Sequence, residues 1–241
     1  MARNPRPVGK AGGYDYSQRA CGPSDTSQGF SEAGGALRRL PRYSIVKEED
    51  GPMRILFSGF EPFGGMAENP AWEAVRRLPE RLGGAEIHRV RLPVVFGRAA
   101  EALLDEVRRV RPEIIMMVGV AQGRQAVTPE KLAINYQDAR LPDNAGQSPR
   151  AQRIDPDGPD GIMTCLPVEA MVEAIAAAGL PGKLSLSAGA YVCNDLYYRL
   201  LRREEELGCR CVFIHVPGED VLPADRAALA LEACARVALS R

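Results

Sequence analysis

The segment Glu113-Ile114-Ile115-Met116-Met117-Val118-Gly119 constrains this chain more than any other. Its apolar residues run without alternation, which marks a strand covered on both faces rather than one with a solvated side. Two further runs have the same character: Arg54 to Ser58, ending at Gly59, and Arg210 to Val216. The stretches between them carry helical spacing. Asn69-Pro70 caps and starts one helix, with Trp72, Val75 and Leu78 on its apolar face. Arg98 to Val110 places Ala99, Leu103, Leu104 and Val107 on one side, Pro167 to Ala178 stops before Gly179, and Pro223 to Leu239 closes the chain. Ala85 to Val95 alternates as a strand, with Pro93 limiting its pairing to an edge or an end, and Lys183 to Ser187 reads as one more strand. Strands alternating with helices predict an α/β fold: a three-layer α/β/α sandwich around a mainly parallel, mixed central sheet.

Residues 1–52 are different material. They are rich in Gly, Ser, Arg and Pro, and their apolar residues lack a period. Such a segment buries too little to offset the entropy of ordering it, so a disordered extension is expected, with translation starting at or near Met53. Residues 53–241 then form a single catalytic domain. The 31 basic and 31 acidic residues balance, which argues against a nucleic-acid or anionic-membrane partner. No run of 18 apolar residues is present. Six cysteines without a scaffold spacing point to free thiols and a cytoplasmic setting, and no cysteine–histidine cluster suggests a metal.

Chemistry is expected at the carboxyl ends of the strands, where open α/β sheets bind ligands. Four features fall there. Gly59-Phe60-Glu61-Pro62-Phe63-Gly64-Gly65 is a loop that spends two aromatics, either to cover the core or to line a pocket. Gln122 follows the second apolar run, and His215 lies near the end of the last. Cys193 stands where small residues give way to the helical spacing of Leu196, Tyr197, Leu200 and Leu201. Unpaired N–H groups at a helix start favour a thiolate and can hold an oxyanion. A thiol nucleophile needs a base, and the base needs a group to orient it. His215 is the histidine on the correct edge and Glu130 the best-placed carboxylate, which proposes a Cys193–His215–Glu130 triad.

Four motifs in order resemble the type I pyroglutamyl peptidases from Met53 to Arg241. They are Gly59-Phe60-Glu61-Pro62-Phe63-Gly64-Gly65 with Asn69-Pro70-x-Trp72; Thr128-Pro129-Glu130 with Ala133-Ile134-Asn135 and Asp138-Ala139-Arg140-x-Pro142-Asp143-Asn144; Ala188-Gly189-x-x-Val192-Cys193-Asn194; and Ile214-His215-Val216-Pro217. The resemblance implies a cysteine peptidase that removes an N-terminal 5-oxoproline from peptides, without a cofactor, commonly as a homo-oligomer (dimer or tetramer). It implies Cys193 as nucleophile, His215 as base, Glu130 as orienter, and Phe60 and Phe63 around the lactam. It also brings Val120, Leu141, Tyr191 and Val192 to the pocket, with Asp143, Arg140 and Asn194 in support. One departure stands out. The family's lactam-binding glutamine position holds Val120, in Gly119-Val120-Ala121-Gln122-Gly123-Arg124. Gln122, two residues on, is expected to substitute. The Val120 change also raises the alternative of a catalytically weak or silent member that binds pyroglutamyl peptides or another small amide. A purine-phosphorylase-like enzyme of similar fold would need a glycine-basic phosphate loop, which the sequence lacks.

Overall fold

The computed structural model describes residues 51–240; the expectations for the N-terminal extension before Gly51 lie outside the described residues. The three apolar runs form β1 (Arg54–Phe60), β4 (Ile114–Val120) and β8 (Arg210–Val216). With β2 (Arg81–Leu82), β3 (Ala85–Leu92) and β5 (Thr128–Glu130) they build a six-stranded sheet in the order β2-β3-β1-β4-β8-β5. β3, β1, β4 and β8 run parallel, and the short β2 and β5 are antiparallel edges. The sheet is therefore mixed and mainly parallel, as the uninterrupted hydrophobicity of its central strands requires.

Side chains alternate between two cores. Ile55, Phe57, Met116, Val118, Val212 and Ile214 pack on one side, where α1 (Pro70–Arg76), α3 (Val168–Ala177) and α6 (Ala224–Leu239) lie. Leu56, Met117, Cys211 and Phe213 face α2 (Arg98–Val110) and α4 (Val192–Leu201) on the other. Helix α1 starts as its sequence demands: Asn69 Oδ1 accepts from Ala71 N at 3.0 Å, with Pro70 in the first turn. β6 (Leu132–Ile134) and β7 (Gly161–Met163) form a separate two-stranded ribbon, and α5 (Glu204–Leu207) is a single turn before β8.

Three boundaries differ from the expectations. β1 continues through Gly59 to Phe60, because β3 extends the ladder to the pair Phe60–Leu92. β3 in turn ends at Leu92, one residue before Pro93, which has no N–H to offer. The predicted strand Lys183–Ser187 is not a strand. This segment runs parallel along β5 but makes two isolated bridges, Val127–Gly182 and Glu130–Ser185. The hydrogen bonds explain the break. Val127 N donates to Pro181 O, Lys183 N to Val127 O, Ser185 N to Pro129 O and Lys131 N to Ser185 O. The missing rung is the one that would start from residue 129, where proline has no hydrogen to give.

Candidate active site

Parallel β4 and β8 and antiparallel β5 bring the candidate residues to one corner of the sheet. His215 is the next-to-last residue of β8 and points to the α4 side, in the same alternation as Cys211 and Phe213. Glu130 ends β5, where it pairs with Phe213, so its side chain lies close to the imidazole. Glu130 Oε1 accepts the His215 Nδ1 hydrogen at 2.7 Å. That bond selects the tautomer with a free Nε2, the form a general base needs. Phe213 packs against the imidazole with ring centroids 4.8 Å apart and the rings inclined at 49°.

Cys193 is the second residue of α4, with Tyr191 as the residue before the helix. Its thiol is half-buried and faces β4. The space it uses exists because residue 119 is glycine. A Cβ there would stand 3.0 Å from Cys193 Sγ and 2.9 Å from Phe213 Cζ. The first-turn N–H groups of α4 have no partner within the helix, and that of Cys193 bears on its own sulfur; such groups can hold an oxyanion.

The two residues after the cysteine fasten the helix. Asn194 Oδ1 accepts from Ile134 N at 2.9 Å, and its Nδ2 donates to Ile134 O at 2.8 Å and Tyr136 O at 3.0 Å. The buried Asp195 carboxylate accepts from Gly97 N at 2.9 Å, Gln137 Nε2 at 2.6 Å and Arg199 Nε at 2.8 Å. One turn on, Tyr197 Oη donates to Glu130 O at 2.8 Å.

A cavity of about 150 Å³ opens beside the thiol, lined by Phe60, Phe63, Asn69, Val94, Val120, Ala188, Tyr191, Val192, Cys193 and His215. An apolar cavity of that size holds a benzene-sized ring. Its aromatic rim is ordered: Tyr191 meets Phe96 edge-on at 5.3 Å and Phe63 at 6.4 Å, and its hydroxyl donates to Pro142 O at 3.0 Å. Asp143 holds the rim from behind. Its Oδ2 accepts from Phe96 N at 3.0 Å, and its Oδ1 accepts from Ala145 N at 2.9 Å and Gln147 N at 2.8 Å.

Burial governs the charge states. It pushes the Cys193 thiol up to about 12, aided by the Glu130 charge and opposed by Arg124 and by the residue's own N–H. Burial also holds the His215 imidazole below its ordinary value, against the pull of Glu130. Glu130 goes the other way. Burial raises it, but the His215 hydrogen bond and charge, the Ser185 hydroxyl and the Arg124 charge together hold it below the usual carboxylate range. The resting site is thus a thiol, a neutral imidazole and a carboxylate. Among the described residues no group of three His, Cys, Asp or Glu side chains is placed to hold a metal.

The structure gathers Cys193, His215, Glu130, Phe60, Phe63, Val120, Tyr191 and Val192 at one site, with Asp143 and Asn194 directly behind it. It does not bring in three others. Gln122 is exposed on the β4–β5 loop, with its amide on Met66 Sδ at 3.3 Å, and is outside the cavity lining. Its substitution for the family glutamine is corrected by this placement: the chain leaves the sheet after Val120, so the two-residue spacing no longer carries Gln122 to the face Val120 occupies. Leu141 is 66% exposed and Arg140 is also on the surface; neither lines the cavity. Two participants were not anticipated. Asn69 is a helix cap in sequence terms yet lines the cavity, and Arg124 donates to Glu130 Oε1 at 2.6 Å.

Comparison with known proteins identifies the family of the chain. The sequence profile described as "Pyroglutamyl peptidase" matches residues 53–231. The chain is 47% identical over 167 residues to a pyrrolidone-carboxylate peptidase of Levilactobacillus brevis, a match covering 68% of this chain and 82% of that protein. It is 44% identical over 167 residues to the Enterococcus faecalis protein of the same name, covering 68% and 78%. Among solved structures, pyroglutamyl peptidase I of Bacillus amyloliquefaciens superposes with a TM-score of 0.75 at 37% identity, covering 78% of this chain and 98% of that one. The pyrrolidone carboxyl peptidase of Thermococcus litoralis superposes at 0.74 and 31% identity, covering 78% and 94%.

Proposed function

The chain belongs to the pyroglutamyl peptidase family, and from that premise we infer how its own residues carry the reaction. It is a cysteine-type hydrolase that removes an N-terminal pyroglutamyl residue from peptides. The observation that carries the assignment of roles is the meeting of the Cys193 thiol, the Glu130-oriented His215 and a ring-sized apolar cavity at one helix start.

The reaction follows from the charge states. The lactam ring enters the cavity between Phe60, Phe63 and Tyr191, which places its exocyclic carbonyl near Cys193. His215 Nε2 takes the thiol proton as Sγ attacks that carbon, and the new oxyanion is held by first-turn N–H groups of α4. Moving the proton at the moment of attack avoids a resting buried thiolate. As the tetrahedral intermediate collapses, the C–N bond breaks and the imidazolium gives its proton to the departing amine. Water then attacks the thioester with His215 as base, releasing 5-oxoproline and restoring the thiol. Glu130 keeps its negative charge throughout and stabilises the imidazolium between the steps.

Asn69 and Tyr191 are the cavity's other polar side chains; Asn69 Nδ2 donates to Glu61 O and its Oδ1 accepts from Ala71 N, while the Tyr191 hydroxyl donates to Pro142 O and keeps its acceptor side. With Val120 in the wall, ring recognition rests on apolar contact, main-chain groups and what these two side chains have left to offer. That wall also supports the second reading, a weak or silent member that binds pyroglutamyl peptides. We further propose a single catalytic domain from residue 53, a cytoplasmic location and a homo-oligomer. Met163, Leu184 and Leu186 are exposed side chains on segments that both border Lys131, which supports the last point; light scattering on the purified chain reads the assembly.

The deciding experiment is hydrolysis of a pyroglutamyl-aminocoumarin substrate by the wild type and by Cys193→Ala, with and without a thiol-alkylating reagent. Activity abolished by both the substitution and the reagent is expected. A folded wild type that binds the substrate without cleaving it would replace this reading with the second.

A further inference from the structure

The reaction above leaves Arg124 without a task, although it touches the triad. Its guanidinium is half-buried, with 30% of the side chain exposed, while Glu130 is fully buried. Nη1 donates to Glu130 Oε1 at 2.6 Å and to Thr128 Oγ1, and Nη2 donates to Ser187 O at 3.1 Å. Thr128 is the residue paired with His215 in the β5–β8 ladder, and Ser187 lies six residues before the nucleophile. The turn that delivers the side chain is anchored on the strand of the base: Ala121 N donates to Val216 O at 2.9 Å, and Arg124 N to Ala121 O at 3.1 Å. Gly123 makes the turn at φ 89°, a conformation that favours glycine.

We propose that Arg124 is a positioning residue for catalysis, the counter-ion that lets Glu130 stay a buried carboxylate while His215 stays neutral. Two arguments carry this. The first is charge balance. With the thiol and imidazole uncharged, Glu130 bears the buried negative charge and Arg124 supplies the positive one. A buried charge without a partner is expensive, so removing Arg124 drives a proton onto the pair. If the imidazole takes it, the base is lost; if the carboxyl takes it, the orienting acceptor is lost. The second is geometric. Glu130 Oε1 accepts from both His215 Nδ1 and Arg124 Nη1, and Oε2 accepts from neither. With His215 alone the two oxygens would be equivalent acceptors, and the carboxylate could turn. A fixed guanidinium selects one oxygen, and hence one imidazole orientation.

The charged and titratable groups that reach Glu130 and His215 are Arg124 from the β4–β5 loop and Cys193 and Tyr197 from α4. Of these Arg124 is the cation, and it opposes protonation of His215. Its loss therefore raises the pH below which the base is charged.

This inference rests on the triad reading, so its test carries a readout that does not need turnover. The full chain is compared as wild type, Arg124→Met and Arg124→Lys. The measurements are pH–rate profiles on the pyroglutamyl-aminocoumarin substrate, alkylation of Cys193 by iodoacetamide against pH, and melting temperature. Arg124→Met is expected to lose tenfold to a hundredfold in kcat, the scale of lost outer partners in other sites. KM should stay within about twofold, and the acid limb should move to higher pH in both turnover and alkylation. Guanidinium ion added to that variant should return part of the rate. Arg124→Lys keeps the charge but not the fork. It should leave the acid limb in place and still lose rate, so the proposal is read even if Arg124→Met fails to fold. An Arg124→Met acid limb that superposes on the wild type overturns the proposal, as does an Arg124→Lys limb shifted to higher pH than that of the wild type. Should the wild type show no turnover, the peptidase reading falls, and the alkylation profiles still decide Arg124 by the same criterion.

Discussion

Gly119→Ala tests whether the thiol's place in the site is set by an absent side chain. The added Cβ would sit 3.0 Å from Cys193 Sγ and 2.9 Å from Phe213 Cζ. Comfortable separations are about 3.5–4.0 Å, so about 0.5–1 Å must be absorbed on each side. The two neighbours differ in their freedom to give way. Phe213 is fully buried and wedged among Phe60, Tyr197 and His215. Cys193 opens onto the cavity. The sulfur therefore yields more than the ring, in part by turning about its single side-chain torsion. A reacting atom misplaced by about 1 Å can cost about a hundredfold in rate. Overpacking at this scale costs about 1–3 kcal/mol, which lowers the melting temperature by about 2–12 °C in a domain of this size. Turnover of the pyroglutamyl-aminocoumarin substrate at 25 °C, where the variant remains folded, separates the two effects. The expected result is a fall in kcat of at least tenfold with near-native circular dichroism. Activity within twofold of wild type in a folded variant would refute the argument that the glycine makes room for the nucleophile.

Three further outcomes follow from the site and its surroundings. Val120→Gln is expected to raise kcat/KM for pyroglutamyl substrates about two- to tenfold, the worth of one added hydrogen bond to a neutral group; steady-state kinetics read it. Gln122→Ala is expected to change kcat/KM by less than twofold, because that amide lies on the surface against Met66. Glu204→Gln should stabilise the fold at high pH. Burial pushes the Glu204 carboxyl up to about 7, although it accepts from Cys211 N at 2.6 Å. A raised folded value means full contribution below the ordinary glutamate value of about 4.3 and loss as pH rises through about 7. The amide keeps an acceptor and removes the charge, so a gain on the order of 1–2 kcal/mol at pH 8 and none near pH 4 is expected from urea melts, after allowing for partial solvent contact.

The parts of this protein legible in its sequence are those where burial leaves a continuous pattern. Ile114 to Val118 can be apolar throughout only if both faces are covered, and that implied the layered fold. Cys193 at a helix start was legible from the change in spacing around it. The strand expected before it was not there, because Lys183–Ser187 alone has a strand's composition. The missing rung comes from Pro129, some fifty residues away, which no local window contains. Arg124 was silent for a related reason: a loop arginine has no period, and its partner is chosen by the turn at Gly123. Gln122 misled because alternation applies within a strand, and β4 ends at Val120. Asn69 was read for its capping oxygen, which it does use, while its place in the cavity wall depends on how β1 and α1 pack.

The bonds from α4 to the strand beside it have a mechanical meaning. Tyr197 ties the nucleophile's helix to the main chain of Glu130, the β5–β8 ladder ties Glu130 to the strand of His215, and the ring contact of Tyr197 with Phe213 closes the helix onto that strand. Nucleophile, base and carboxylate thus sit on three bars joined at their ends, a triangulated frame in which no bar can pivot without breaking a joint. Such a frame fails as a unit. Heat inactivation of this enzyme should therefore coincide with the collapse of its sheet, with no preceding stage in which the chain is folded but the triad has drifted apart.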